Sequence, residues 1–134
     1  MGCDMKVISP NDIIGTEREV HCPHGGFVSL RYVLAKDGMG FSLHETRIPC
    51  GDRQHWHYKH HLEACFCIAG RGVLRNEETG EDFAITPGVC YVLDNHDDHS
   101  FVAETDVVLI SVFNPPVTGT EVHGADGSYA KAGA

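Results

Sequence analysis

Within nine positions the chain carries His55, His57, His60, His61 and Glu63, then runs into the apolar segment LEACFCIA that ends at Gly70. Imidazoles and a carboxylate are the side chains that bind divalent metals and move protons near neutrality. Spacing decides which of them share a direction. If residues 62–69 form a strand, Glu63, Cys65 and Cys67 project from one face and Ala64, Phe66 and Ile68 from the other, and both faces read as buried. A buried carboxylate is costly unless a cation or hydrogen-bond donors compensate it. Glu63 therefore needs a partner, for which a metal ion is suited; an ion pair with Arg or Lys at a solvent-facing strand start is the alternative. Only one of the neighbours His60 and His61 can face inward, and alternation puts His55, His57 and His60 at the surface or behind a metal shell rather than in it.

Two further stretches supply chemistry. The run ITPGVCYVLDNHDDHSF places Pro87 and Gly88 at a turn, Tyr91 in the strand that follows, and His99 ahead of the next strand. Tyr91 reads equally as a core aromatic with a satisfied hydroxyl. In residues 41–48, Ser42, His44 and Thr46 alternate onto one face, a pattern that suits the polar lining of a cavity as well as a solvent-exposed strand.

The elements that must position these groups are strands. Hydrophobic periodicity is two, and turn residues recur every few positions in KDGMG, AGRG, NEETGED, TPG and DNHDDH. Strands are expected at 27–35, 41–48, 54–58, 62–69, 72–76, 81–85, 89–93, 99–103 and 106–113, with a short helical turn near Ser9 or Asn11 and a mobile tail from about residue 125. That makes one all-β domain over residues 1–134, a small barrel with few short helices. With 134 residues, 42% hydrophobic and 22% charged, the chain can bury a core without staples. A formal charge of -9 with scattered Lys and Arg argues against a nucleic-acid partner. No apolar run is long enough to span a membrane and the start does not read as a secretory signal, so the expected location is the cytoplasm, with the six cysteines as thiols.

The first histidine block, Glu63, Gly70 and the Pro-Gly turn followed by His99 resemble the two motifs of the cupin superfamily, whose small jelly-roll barrels bind divalent transition metals. The two-histidine register before Glu63 is displaced, which puts the usual three-histidine site out of place. The displacement belongs to one family: the blocks GTEREVH, LAKDGMGFSLHET, HYKHHLEACFCIAGRG, ITPGVCYVLDNHDDH and VFNPPVTGTEVHGADGSY, in that order, resemble ectoine synthases. That family closes N-γ-acetyl-L-2,4-diaminobutyrate into the cyclic amidine ectoine with loss of water.

The resemblance implies that Glu63, Tyr91 and His99 hold a catalytic iron, expected as Fe(II), with zinc and manganese also compatible with such ligands. It implies substrate contacts from Arg31, Thr46, Tyr58, His61, Glu121 and His123. Glu121, His61 and His123 stand as alternative proton carriers, and a homodimer is expected. Phe27 falls where the family commonly has tryptophan, which removes an indole donor, and His44 falls where it has His or Asn. The competing functions are a non-catalytic metal cupin that binds a small ligand, and a cupin dioxygenase or isomerase.

Overall fold

The computed structural model describes residues 5–23, 25–119, 121–124 and 127–129. A four-residue helix α1 (Pro10–Ile13) comes first, followed by β1 (Glu19–His21), β2 (Val28–Val33), a 3-10 turn (Ala35–Asp37), β3 (Ser42–Ile48), β4 (Arg53–His57), β5 (Leu62–Ala69), β6 (Gly72–Asn76), β7 (Asp82–Ile85), β8 (Cys90–Leu93), β9 (Asp98–Ala103) and β10 (Val107–Asn114). The nine expected strands are present, and the helical turn starts after Ser9, whose backbone N–H and hydroxyl both donate to Asp12, at 2.8 and 3.0 Å. This carboxylate satisfies donors at the helix start that have no partner within the helix.

All pairings are antiparallel. One sheet runs β1-β2-β3-β10-β5-β8 and the other β4-β9-β6-β7. Their inner faces meet over Trp56, Cys65, Cys67, Leu74, Ile85, Phe101, Leu109 and Phe113. This is the all-β, jelly-roll type of barrel expected of a cupin. The order matters for the site, because β3, β10, β5 and β8 lie side by side and bring residues 46, 111, 63 and 91 onto one wall.

Two expectations need correcting. The outer face of β5 is not buried within the chain: Phe66 is 44% and Ile68 49% exposed, whereas Glu63, Cys65 and Cys67 are buried. Alternation was right, but no described residue packs over that outer face. The tail expected to be mobile from about residue 125 is anchored at residues 127–129. His57 N–H donates to Gly127 O at 2.9 Å, Gly124 N–H donates to Ser128 O, and Tyr129 is 3% exposed. Residues 125, 126 and 130–134 lie outside the described residues. A Cβ on Gly127 would stand 2.7 Å from His55 O, so the approach to β4 requires glycine there. No helix among the described residues is long and apolar enough to cross a membrane.

Candidate active site

Glu63 sits on the inner face of β5 because residues 63, 65 and 67 alternate inward, and it is 7% exposed. Burial pushes its carboxyl up to about 7, with the Cys65 thiol and Ser111 hydroxyl pulling the other way. Among the described residues no cationic side chain offsets this. Beside it on β8, paired Tyr91↔Cys65 across the ladder, Tyr91 turns its ring inward and its buried hydroxyl has no hydrogen-bond partner among the described residues. Burial holds that phenol well above its ordinary value.

His99 comes from the opposite sheet, on β9, and is 1% exposed. Its Nδ1 lies 2.9 Å from Asp97 O. A carbonyl only accepts, so Nδ1 carries the proton. The buried Nε2 is left as a lone pair with no partner. Desolvation lowers the His99 pKa and favours this neutral form.

These three are the expected metal ligands, and they fit one. A buried carboxylate, an orphaned phenol and an imidazole presenting an unused lone pair form an O, O, N set for a first-row divalent ion. No group of three or more His, Cys, Asp or Glu among the described residues is arranged to hold a metal. A three-ligand site therefore depends on the Tyr91 oxygen.

Against Glu63 and Tyr91 lies an inner cavity lined also by Thr46, Trp56, Tyr58, Cys65, Ser111 and His123, among others. Its free volume is about 10 Å³, room for one water-sized body. Ser42, His44 and Thr46 all face inward, as alternation predicts. His44 bridges two hydroxyls, Ser29 at 3.3 Å through Nδ1 and Ser42 at 3.1 Å through Nε2. Thr46 shares a hydrogen bond of 3.1 Å with Ser111. A larger groove of about 600 Å³ opens between β7 and β8, and reaches Tyr91 and His99 from the other side.

The C-terminal segment covers the cavity. Arg31, 1% exposed, donates through its guanidinium to Gly119 O at 2.6 Å, to Glu121 O at 2.7 Å and to Ser29 Oγ at 3.2 Å. Its donors thus hold main-chain carbonyls, not a free carboxylate site. Tyr58 lies 2.5 Å from His123 Nε2, and His123 stacks on Tyr129 with centroids 4.4 Å apart. Burial, with the nearby Arg31 charge, depresses His123 to about 3, so it is neutral and accepts from Tyr58. Replacing Arg31 by alanine should release this strap: hydrogen exchange across residues 117–129 rises well above wild type, while the barrel strands keep their protection.

Among the proton carriers, geometry separates the candidates. Glu121 accepts from Thr118 N–H, Thr118 Oγ and Gly119 N–H, each at 2.7 Å; burial raises its pKa, but these bonds outweigh it and the net shift is downward. His123 is tied to Tyr58. His61 is 1% exposed with neither ring nitrogen partnered. Of the first histidine cluster, His55 is exposed and pairs with Asp98, and His60 is exposed, in keeping with their expected surface roles. The sequence reading missed Trp56. The signal was the alternation that sends His55 outward and its neighbour inward.

Residues 5–133 match the family model described as ectoine synthase. The L-ectoine synthase of Alkalilimnicola ehrlichii is 53% identical, covering 93% of this chain and 94% of that one. The L-ectoine synthase of Wolinella succinogenes is 49% identical, over 93% and 95%. A crystal structure of ectoine synthase from P. lautus superposes with a TM-score of 0.79 at 39% identity, covering 85% of this chain and 80% of that one. Similarity that spans almost the whole chain, and with it the strands carrying Glu63, Tyr91 and His99, places this protein in the ectoine synthase family.

Proposed function

We propose that the protein closes N-γ-acetyl-L-2,4-diaminobutyrate into ectoine, with Fe(II) held by Glu63, Tyr91 and His99. The observation that carries the activity is the near-complete match to proteins named L-ectoine synthase. The unpartnered polar atoms of the barrel wall support the metal.

In the reaction the α-nitrogen attacks the acetyl carbonyl carbon and a six-membered ring forms. The carbonyl oxygen leaves as water with two hydrogens from the α-ammonium, and the product is an amidinium with one hydrogen on each nitrogen. The ends are tethered, so the obstacles are a weakly electrophilic amide, a protonated amine and extended conformers. When bound, a divalent ion supplies Lewis-acid polarisation of an amide oxygen. His61, buried with neither ring nitrogen hydrogen-bonded among the described residues, is our candidate to take a proton from the ammonium and return it to the departing oxygen. Tyr58, His123 and Tyr129 form an aromatic wall that keeps water out. An inner cavity of about 10 Å³ does not admit this substrate, so entry needs an opening, by lifting of the strap held by Arg31 or from the groove of about 600 Å³ that reaches Tyr91 and His99. Thr46 lines the space that entry opens.

The exposed apolar surface of β5 and β8, with Phe66, Ile68 and Val92 at 44, 49 and 60%, supports a homodimer that covers it. The five described cysteines are all free, which suits the reducing cytoplasm.

Incubating the Fe(II)-loaded protein with the acetylated diamine and following ectoine by chromatography tests the activity. A folded, loaded sample that binds the compound and returns it unchanged would favour the non-catalytic cupin. Tyr91→Phe keeps the ring and removes the oxygen. It should lower bound iron, measured by elemental analysis, by about tenfold or more with little change in melting temperature; full iron content would remove Tyr91 from the ligand set.

A further inference from the structure

The cavity holds a donor that the scheme above does not use. Trp56 stands on β4 with its ring inward, 5% exposed. Phe27 meets it edge-on with centroids 5.3 Å apart and planes at 87°. His123 lies stacked against it at 5.6 Å, and His99 is 5.9 Å away. Trp56 lines the same inner cavity as Tyr58, Glu63, Tyr91 and His123. Its indole N–H is buried and has no acceptor among the described residues.

Buried indole N–H groups ordinarily find a partner, so an orphan beside a cavity marks where an acceptor belongs. The indole nitrogen only donates. That excludes an ammonium and selects an oxygen, carboxylate or carbonyl, of a bound molecule. The guanidinium of Arg31 is engaged by Ser29, Gly119, Glu121 and Tyr129, and Phe27 brings no donor to this corner. The chain's one indole stands in ring contact with Phe27.

We infer that Trp56 is a substrate-binding residue, its indole N–H donating to an oxygen of the acetylated diamino acid and so fixing the substrate against the Glu63 and Tyr91 wall. This deepens the proposed function and rests on it.

Trp56 is the chain's only tryptophan, so its emission reports this contact directly. In the metal-loaded protein, adding the acetylated diamine should shift that emission saturably, with a midpoint near KM. Trp56→Phe keeps an aromatic ring and removes the donor. It should lower kcat/KM roughly ten- to a hundredfold, mostly through KM, as expected for losing a hydrogen bond to a charged or strongly polar group. Emission that ignores saturating substrate in an enzyme that turns over, or a folded Trp56→Phe variant with wild-type kcat and KM, overturns the assignment and leaves the proposed function intact. Saturable emission with no ectoine formed overturns the reaction and keeps Trp56 as a ligand contact. If the variant melts early, the titration of the unaltered protein decides alone.

Discussion

Glu63→Gln should abolish most of the activity and, in the same molecule, make the metal-free protein more stable. The two effects have one origin. Glu63 is buried on the inner face of β5 with its carboxyl pushed up to about 7 from 4.5 by desolvation. A group whose folded pKa is raised binds its proton more tightly when folded. Below about 4.5 the acid is neutral in both states and costs nothing. As pH rises towards 7 the unfolded chain ionises freely while the folded one resists, and stability falls. Above that range the deficit reaches about 3 kcal/mol, which glutamine, having no charge, does not incur. The melting temperature of the metal-free variant should therefore exceed that of wild type at pH 8 and converge with it near pH 4.5. Bound iron should fall, and ectoine formation should drop by roughly a hundredfold to a thousandfold. A variant with no gain at pH 8 would show that Glu63 already has a cation in the protein; one with full iron and turnover would remove it from the site.

Gly70→Ala should be the most damaging small substitution in the barrel. Gly70 ends β5 at φ +84°, and a Cβ there would lie 1.9 Å from the main-chain oxygen of Asp106. Both objections act together. A left-handed alanine is strained, and the clash is with backbone that leads directly into β10, the strand pairing with both β3 and β5. Strain and overpacking together imply a loss of about 3–5 kcal/mol. Gly38 supplies the comparison, since φ is +73° there but nothing lies within 4 Å. Gly38→Ala should cost only the conformational part, about 1–2 kcal/mol. Equal melting temperatures for the two variants would show that the Asp106 contact relaxes freely.

The sequence revealed the strands because polar and apolar residues alternate cleanly. The period-two pattern at 42, 44 and 46, and again at 63, 65 and 67, placed those side chains in the barrel interior. It did not reveal β1, since Glu19, Val20 and His21 are too few to show a period and owe their conformation to pairing with β2. Nor could periodicity single out Tyr91 as a proposed ligand beside Glu63 and His99; the aromatic fits a core strand equally well, and only the family resemblance pointed to it. The C-terminal residues misled for a different reason. HGADGSY is small and polar, the composition of a loose end, and one buried ring, Tyr129, outweighs it. Trp56 was hidden by its neighbours, because it stands among four histidines and a glutamate whose chemistry is the stronger signal.

The strap has a practical consequence for anyone handling the protein. Gly127 is bonded to β4 and Tyr129 packs into the aromatic wall, so a purification tag or fusion partner attached beyond Ala134 hangs from the segment that covers the cavity. Drag or bulk there would bias the doorway open and weaken apparent affinity without touching a single residue of the chemistry.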